Sequence, residues 1–412
     1  MSLVRSRRTL ALTLAAGLLL SACTNAGAKS PQPPDPSDWT SVLNAARGQT
    51  VNWHMYGGDD NLNRFVSGYL GDRMRRHGIT INPVKITDTV DAVNKVLAEK
   101  QAGRDSDGSV DLIWVNGENF ATGKQAGLWH CGYDRDLPNA TYVNFEDPAV
   151  THDFGVPVDG CESVWQQSNS ALVYDSAALS SRDVSSLDSL FAWARRHPGR
   201  FTYPAPPDFT GSMVVRTVLY DTAGGSEKFS GTPEDTVFAA ASKRLWDRLT
   251  RVEPSLWRRG TTYPASQDDV VKLYANGEID AFFTYGPGSV ADHVSTGVFP
   301  ASTREAVPSV GNIANDSFVA IPYNARHQAA AMVLANELLA PATQLALFRT
   351  DGSYPAIDLR TVPEGTRRQF DAVDLGPAVL ALGELSANTR PELPASYVTR
   401  LEAGWKTHVL QR

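Results

Sequence analysis

The apolar run VDLIWV, at residues 110–115, is the feature that most narrows the possible folds of this chain. A strand with one exposed face alternates apolar and polar residues, whereas a strand covered by helices on both faces is apolar throughout. Two strand–helix pairs precede this run: GQTVNWHMY with a helix that ends at Gly78, and ITINPVKI with a helix over residues 88–102. This β–α–β–α–β order predicts a doubly wound α/β sheet.

The same alternation of strands and helices begins again after about residue 170. SALVYDS predicts a strand, SSLDSLFAWARRH predicts a helix, and EIDAFFTYGPG at 278–288 predicts a strand that ends in an aromatic residue and glycines. At 412 residues the chain is also too long for one compact core. We therefore expect two doubly wound α/β lobes.

Composition and motif spacing argue against several functional classes. A formal net charge of −7 argues against nucleic acid as a partner. The eight histidines are scattered singly, without HxH, HExxH or CxxC spacing, so we expect neither a metal nor a cofactor. The chain has no GxSxG motif and no SxxK with its partner motifs. A surface-anchored hydrolase stays open as an alternative because paired carboxylates could serve a glycosidase.

The N-terminus has the pattern of an exported lipoprotein. A basic start, MSLVRSRR, precedes the apolar run TLALTLAAGLLL, which is too short to cross a bilayer core that needs about 20 residues but is typical of a secretory signal. The following Leu20-Ser21-Ala22-Cys23 is similar to a bacterial lipobox. We expect residues 1–22 to be a signal peptide, Cys23 to be lipidated, and the Pro-rich residues 23–37 to tether the protein to the extracytoplasmic face of the membrane.

Two alternatives stay open at this end of the chain. A plain signal peptide followed by a chance cysteine would give the same pattern. The run SRRTLAL also resembles a twin-arginine signal, so the export route is undecided between that pathway and the Sec pathway.

Cys131 and Cys161 are the cysteines that remain after Cys23. Outside the cytosol, two such cysteines are a candidate disulfide, and their spacing of 30 residues places both in one lobe. Two unpaired buried thiols are the alternative.

Four predicted strand ends combine glycine with aromatic or polar residues. In open α/β sheets, ligands bind beyond the carboxyl ends of the strands, and glycine lets backbone N–H groups approach them. We therefore predict an interlobe cleft. Its ligand-binding residues are Trp53, Tyr56, Gly57, Gly58, Asp59, Asp60, Asn116, Gly117, Glu118, Asn119, Trp165, Asp208, Thr210, Gly211, Ser212, Tyr285, Gly286, Asn312 and Asn315.

These residue types suggest a planar or cationic solute, because aromatic faces and carboxylates both attract cations. Each residue also has a structural alternative: Trp53 and Trp165 could be core residues, and Asp59, Asp60 or Thr210 could only cap helices. The helix starts make a competing case for an anion, and a phosphorylated cation would satisfy both. Ferric iron would require clustered tyrosines, and Tyr220, Tyr263, Tyr274 and Tyr285 include no adjacent pair.

Several of these segments resemble one family. The lipobox, the tether, VDLIWVNGENF, QQSNSALVYDS, GEIDAFFTYGPG and the late helix containing VLAN are similar to bacterial ABC-transporter solute-binding lipoproteins, which have the type II periplasmic-binding fold. The run from GQTVNWHMYGGDDN through SVDLIWVNGENFATGKQAGL resembles the YnjB-like branch, which is akin to thiamine-binding proteins. The resemblance covers nearly the whole mature chain.

The resemblance implies a receptor without catalytic activity, whose two lobes close on a solute and deliver it to a membrane permease and its ATPase. It also implies crossover strands near Trp165–Asn169 and near Pro300–Pro308. Lobe 1 would then comprise residues 38–168 and 300–345, and lobe 2 residues 169–299 and 346–412. We expect a monomer, and a thiamine-like organic cation, with or without a phosphate, as its solute.

Overall fold

The computed structural model describes residues 34–229 and 235–411. The predicted signal peptide, the predicted lipidation site Cys23 and most of the predicted tether lie outside these residues.

The described residues form ten β-strands and sixteen α-helices. The strands are β1 Thr50–Tyr56, β2 Thr80–Ile86, β3 Leu112–Val115, β4 His152–Asp153, β5 Val156–Pro157, β6 Glu162–Asp175, β7 Ala281–Tyr285, β8 Thr303–Ala306, β9 Asn312–Ala320 and β10 Thr389–Arg390. The helices are α1 Trp39–Ala46, α2 Asp60–Phe65, α3 Gly71–Arg76, α4 Thr89–Gln101, α5 Gly117–Gln125, α6 Pro148–Thr151, α7 Leu187–Arg196, α8 Phe209–Ala223, α9 Asp235–Val252, α10 Gln267–Ala275, α11 Pro287–Ser295, α12 Gln328–Leu338, α13 Pro341–Asp351, α14 Glu364–Asp371, α15 Leu382–Ser386 and α16 Ala395–Trp405. A π-helical turn, Val66–Leu70, joins α2 to α3, and another, Lys406–Leu410, extends α16.

The first half of the sheet has the predicted doubly wound order. Strand β1 lies between β2 and β3 and runs parallel to both. Leu112 packs into one hydrophobic core and its neighbour Ile113 into another, so β3 is covered on both faces. That double burial explains why VDLIWV is apolar throughout. Pro83 lies in β2 at the edge of the sheet, where its missing N–H is tolerated.

Strand β6 connects the two halves of the sheet. Its first part pairs antiparallel with β9 as far as Asn169, and its second part pairs with β7 and β8 from Ser170 onward. Leu172 and Val173 then pack into two further cores, so the second half of the sheet is also covered on both faces. We call these halves, with their helices, lobe 1 and lobe 2.

The crossover strands differ partly from the expectation. The crossover near Trp165–Asn169 falls within β6. The other strand that pairs with this part of β6 is β9, whereas Pro300–Pro308 contains β8, which pairs with the second part of β6 alone. Sequence alone does not show which of these segments pairs with the first part of β6, because strand pairing depends on contacts between distant parts of the chain.

The lobe boundaries stay a prediction, and core packing favours a different position for one of them. Leu347, Phe348, Tyr354 and Phe370 pack in the same core as Trp53, although the predicted boundary assigns them to lobe 2. The segment after them returns to lobe 2, where the buried residues are Leu393, Tyr397, Val398, Leu401, Trp405 and Val409. An amphipathic helix does not encode which core will cover it, so sequence could not place residues 346–386.

Two further features bear on the sequence predictions. Cys131 and Cys161 form a disulfide with an S–S distance of 1.97 Å, within lobe 1. Among the described residues, no single helix is long and apolar enough to cross a membrane, and α12 with α13 meets those criteria only as a pair bent by 70°.

Candidate functional site

The two lobes meet where the strands of lobe 1 end. The Tyr56 hydroxyl, at the end of β1, donates a hydrogen bond of 3.1 Å to Asp268 Oδ1 at the start of α10 in lobe 2. Burial, followed by the charge of Asp268, raises the pKa of Tyr56, so the phenol stays a donor. A Cβ on Gly58 would overlap this hydroxyl, so glycine is needed for Tyr56 to fold back over the turn.

Asp59 begins helix α2. Its Oδ1 accepts from the backbone N–H groups of Asn61 and Leu62, so Asp59 is the N-cap, rather than Asp60 or Asn61. Asp60 is exposed. Burial and the neighbouring Asp59 carboxylate raise the pKa of Asp351 to about 8, which places a protonated carboxyl beside the cap at neutral pH.

The aromatic residues form a chain that runs from the cleft into the core. Tyr56 meets Trp114, Trp114 meets Trp165, and Trp165 meets Trp53, with ring centroids 6.4, 5.1 and 5.4 Å apart in edge-to-face geometry. Trp53 and Trp165 are fully buried, so they are core residues and do not line the cleft. Trp114 is half-buried and lies beside Tyr56, but the sequence analysis did not select it.

The Asp153 carboxyl group already occupies the start of helix α5. Gly117 has φ +61° and donates its N–H to Asp153 Oδ2 at 2.6 Å. The Asn116 amide donates to the Asp316 carbonyl oxygen and to Asn315 Oδ1, which ties the end of β3 to β9. Glu118 and Asn119 are half-buried on the first turn of α5.

The start of helix α8 is likewise occupied by an aspartate of the protein itself. Asp208 accepts from the N–H groups of Gly211 at 2.9 Å and Gln267 at 3.1 Å. Gly211 packs directly against the Pro204 carbonyl, and Thr210 and Ser212 are buried. The Ser212 hydroxyl donates to Glu402 Oε1 at 2.6 Å. The predicted cradle for an anion is therefore filled by the protein's own side chains.

A buried ion pair lies behind the end of β7. The Tyr285 hydroxyl donates to Glu392 Oε1 at 2.8 Å, and Arg216 Nε lies 3.0 Å from Glu392 Oε2. The Arg216 side chain is 1% exposed, and its guanidinium lies within 6 Å of the ring centres of Phe154 and Phe209. Sequence reasoning missed Arg216 and Glu392. The one available signal was an arginine inside the apolar run MVVRTVLY of α8.

Carboxylates outnumber Arg216 around this pair. Burial raises the pKa of Glu402 to about 7, and the charge of Glu118 contributes to the rise while Arg216 opposes it. Burial also raises the pKa of Asp153 well above its usual range, with further contributions from Glu118 and Glu392. Such shifts arise when carboxylates are desolvated close to one another. The cleft therefore has more acidic than basic groups, and the raised pKa values mean that Asp153 and a share of Glu402 keep their protons at neutral pH.

Four predicted residues remain: Gly57, Gly286, Asn312 and Asn315. Gly57 lies in the turn after β1 and donates its N–H to the Ile86 carbonyl. Gly286, with φ +77°, precedes α11 and provides no side-chain cap. Asn315 is bonded to Asn116, whereas the buried Asn312 side chain has no hydrogen-bond partner among the described residues.

Neither a group of metal ligands nor the surface hollow beside α9 lies at the cleft. Among the described residues, no three His, Cys, Asp or Glu side chains are grouped so as to hold a metal ion. Tyr220 and Tyr274, which were considered for iron, are buried and bonded to the Pro391 carbonyl and to Thr303. A hollow of about 310 Å³ lies between Trp246 of α9 and His408.

Comparison with known proteins agrees with this architecture. The family described as "Bacterial extracellular solute-binding protein" matches residues 74–359. "Protein YnjB" of Escherichia coli (strain K12) is 35% identical over 381 residues, which cover 90% of this chain and 93% of that protein.

Solved structures show the fold. A putative spermidine/putrescine ABC transporter from Listeria monocytogenes has a TM-score of 0.60 at 15% identity, covering 87% of this chain and 99% of its own. The periplasmic binding protein AfuA from Actinobacillus pleuropneumoniae, with exogenous fructose-6-phosphate bound, has a TM-score of 0.61 at 12% identity, covering 88% and 99%. These likenesses confirm the periplasmic-binding fold predicted from sequence.

Proposed function

The chain belongs to the bacterial extracellular solute-binding protein family, and from that premise we propose that its solute is a small organic cation. The family gives the coarse function: a non-enzymatic, extracytoplasmic protein that binds a small molecule for an ABC permease and its ATPase. The identity of the solute is the open question.

The observation that carries the proposal is the state of the helix starts around the cleft. Asp59, Asp153 and Asp208 already accept hydrogen bonds from the N–H groups that begin α2, α5 and α8. Free N–H groups at these positions would attract an anion. Occupied by Asp59, Asp153 and Asp208, they are closed to an anion, whereas a cation would be attracted by the surrounding acidic groups and would draw protons off those that are protonated.

Aromatic side chains would add to the attraction. Tyr56, Trp114 and Tyr285 lie around the cleft, and Phe209, 40% exposed, lies 5.3 Å from Tyr285. An aromatic face contributes about 0.5–2 kcal/mol to a bound cation. Several such faces, together with paired charges, are needed for micromolar affinity, which is about −8 kcal/mol.

A thiamine-like cation has the required charge and aromatic body, and it remains our specific candidate. A phosphorylated form has less support. The uncapped start of α11 at Gly286 is the position that would accept its phosphate.

Lipid attachment at Cys23 and a monomeric state complete the proposal. A diacylated cysteine followed by a Pro-rich tether would hold the receptor near its permease. Metabolic labelling with a fatty acid tests the anchor: label should enter the wild-type protein and not the Cys23→Ser variant.

A thermal-shift and calorimetry panel tests the choice of a cation. Thiamine, thiamine phosphate, putrescine, spermidine, fructose 6-phosphate and ferric citrate would each be titrated into the protein. A ligand that binds the folded state raises its melting temperature in proportion to ln(1 + [L]/Kd). We expect stabilisation by cations and none by fructose 6-phosphate. Stabilisation by the sugar phosphate or iron alone would contradict the proposal.

A further inference from the structure

Two buried amides on the strands that join the lobes lack partners. Asn169 is 1% exposed and Asn312 is 2% exposed. Neither Nδ2 nor Oδ1 of either side chain has a hydrogen-bond partner among residues 34–229 and 235–411. Buried polar side chains are usually hydrogen-bonded, because leaving them unpaired is costly. Four unpaired atoms at one location therefore require an explanation.

Two neighbouring polar residues on β6 are satisfied. Gln167 Nε2 donates to Asp316 Oδ1 at 3.0 Å. Ser170 Oγ accepts from the Ile313 N–H at 2.9 Å. Gln166 Oε1 on β6 also lacks a partner, but among the described asparagines and glutamines Asn169 and Asn312 are the ones in which both buried amide atoms lack one.

Strand register places the two amides near one another, where β6 passes between the lobes. Asn169 is the last residue of β6 to pair with β9, opposite Ala314, and the next residue, Ser170, pairs with Tyr285 at the end of β7. Asn169 therefore lies where β6 passes from lobe 1 to lobe 2. Asn312 is two residues from Ala314, so it lies on the same face as Asn169 in a diagonal position, where Cα atoms are about 7–8 Å apart.

We propose that Asn169 and Asn312 together bind an uncharged edge of the solute on which an N–H donor lies next to an acceptor, as in a carboxamide or an aminopyrimidine. An Asn amide offers two donor hydrogens and an accepting oxygen. Two such amides complement a mixed edge, whereas an ammonium group only donates and a carboxylate or phosphate only accepts. This inference rests on the proposed function: the acidic residues select the charge, and the two amides select the edge. A linear polyamine could donate to the two Oδ1 atoms but would leave both Nδ2 donors unpaired.

Two cations that differ only in this edge test the inference. 1-Methylnicotinamide and 1-methylpyridinium have the same ring and charge, but only the first has a carboxamide. Calorimetry with the wild-type protein should give about tenfold or more tighter binding of 1-methylnicotinamide, as expected when a site built for hydrogen bonds meets an analogue that lacks them. In Asn169→Leu and Asn312→Leu the two affinities should become nearly equal, through loss of affinity for 1-methylnicotinamide alone.

Thermal stability of the solute-free protein supplies an independent readout and a matched control. Asn324 is equally buried, but its Nδ2 donates to Glu99 Oε2 at 3.0 Å and to the Arg104 carbonyl at 2.9 Å, away from the cleft. Asn324→Leu should lower the melting temperature and keep the discrimination between the cations. Asn169→Leu and Asn312→Leu should keep or raise the melting temperature, because they remove unpaired groups.

Three results would overturn the inference. If Asn169→Leu and Asn312→Leu destabilise the protein as much as Asn324→Leu does, the amides have a structural role, whatever the protein binds. If the wild-type protein binds both cations equally, the edge is not recognised, while the proposal of a cationic solute stands. If fructose 6-phosphate binds and neither cation does, the proposed function fails and this inference fails with it.

Discussion

The two sides of the cleft are built in different ways. On the lobe 1 side, Tyr56, Gly58 and Asp59 are neighbours in one turn, and the Tyr56–Asp268 hydrogen bond is partly exposed to solvent. On the lobe 2 side, Arg216 and Glu392 are 176 residues apart in the chain and are almost completely buried. The first side is a local structure with modest energies, and the second is a buried charge network formed only by the complete fold.

This difference has an energetic consequence. A partly exposed hydrogen bond exchanges protein–water contacts for a protein–protein contact with a small net gain. A buried charge whose partner is removed has no solvent to take the partner's place. Removing the partner therefore destabilises the protein far more. We therefore expect substitutions on the lobe 2 side to unfold the protein and substitutions on the lobe 1 side to change mainly its closure on the solute.

Arg216→Met should have the largest effect. It leaves the Glu392 carboxylate buried without its counter-ion, which typically costs about 3–5 kcal/mol in the free energy of unfolding. Urea denaturation measures the loss. Arg368→Met is the matched control, because Arg368 forms an exposed ion pair with Glu364 that contributes about 0–1 kcal/mol. An Arg216→Met protein as stable as the control variant would contradict the contrast between the two sides.

A pair of glycine substitutions should come next. Gly211→Ala places a Cβ against the Pro204 backbone, which cannot move freely, and should destabilise the protein by about 1–3 kcal/mol. Gly58→Ala meets only the Tyr56 side chain, which can rotate away. That variant should lose only the Tyr56–Asp268 hydrogen bond, about 0.5–1 kcal/mol, together with solute affinity. Exposed Gly365→Ala, with no atom nearby, controls for the added methyl group. Equal melting temperatures for Gly58→Ala and Gly211→Ala would remove the distinction.

Removing one hydroxyl group from each side of the cleft should give a smaller loss of stability, again larger on the lobe 2 side. Tyr285→Phe deprives buried Glu392 of a donor and should cost about 1–3 kcal/mol. Tyr56→Phe loses a bond to exposed Asp268 and should cost about 0.5–1 kcal/mol. Guanidinium denaturation of both variants measures the two losses of stability. A larger loss in Tyr56→Phe than in Tyr285→Phe would show that the lobe 2 network is not the more strongly coupled.

The pH dependence of stability should be the mildest of these effects. Glu402 has a pKa of about 7 in the folded protein, against 4.5 for an ordinary glutamate. Between these values the unfolded chain has released a proton that the folded chain keeps, so stability falls as pH rises from about 4.5 to about 7. Glu402→Gln should flatten this part of the profile of melting temperature against pH. An unchanged profile would mean that Glu402 is not the group responsible.

The same contrast explains what sequence could predict. VDLIWV indicated a doubly covered strand because burial on both faces leaves a local pattern. Tyr56, Gly58 and Asp59 could be selected together because they are adjacent in the sequence, and their role in ligand binding stays a prediction. Alternation along β1 also places Trp53 on the same face as Val51 and Met55, so its position in the core was available from the pattern but was not used.

Other features had no local signal. Glu392 lies in PELPASY, where nothing indicates a buried ion pair with a residue in α8. Asn169 lies in a strand whose hydrogen bonds are known only once the register of β9 is known. The position of residues 346–386 depends on which core covers them. Each of these properties arises from contacts between distant segments.

Proton release on binding is the most direct test of the acidic cleft. Titration of 1-methylnicotinamide, or of thiamine if it binds more tightly, would be followed by calorimetry near pH 7 in buffers with different ionisation enthalpies. A cation favours the charged forms of Glu402 and its neighbours, so the protein should release protons and affinity should rise with pH. Proton uptake on binding, with affinity falling as pH rises, would contradict the account.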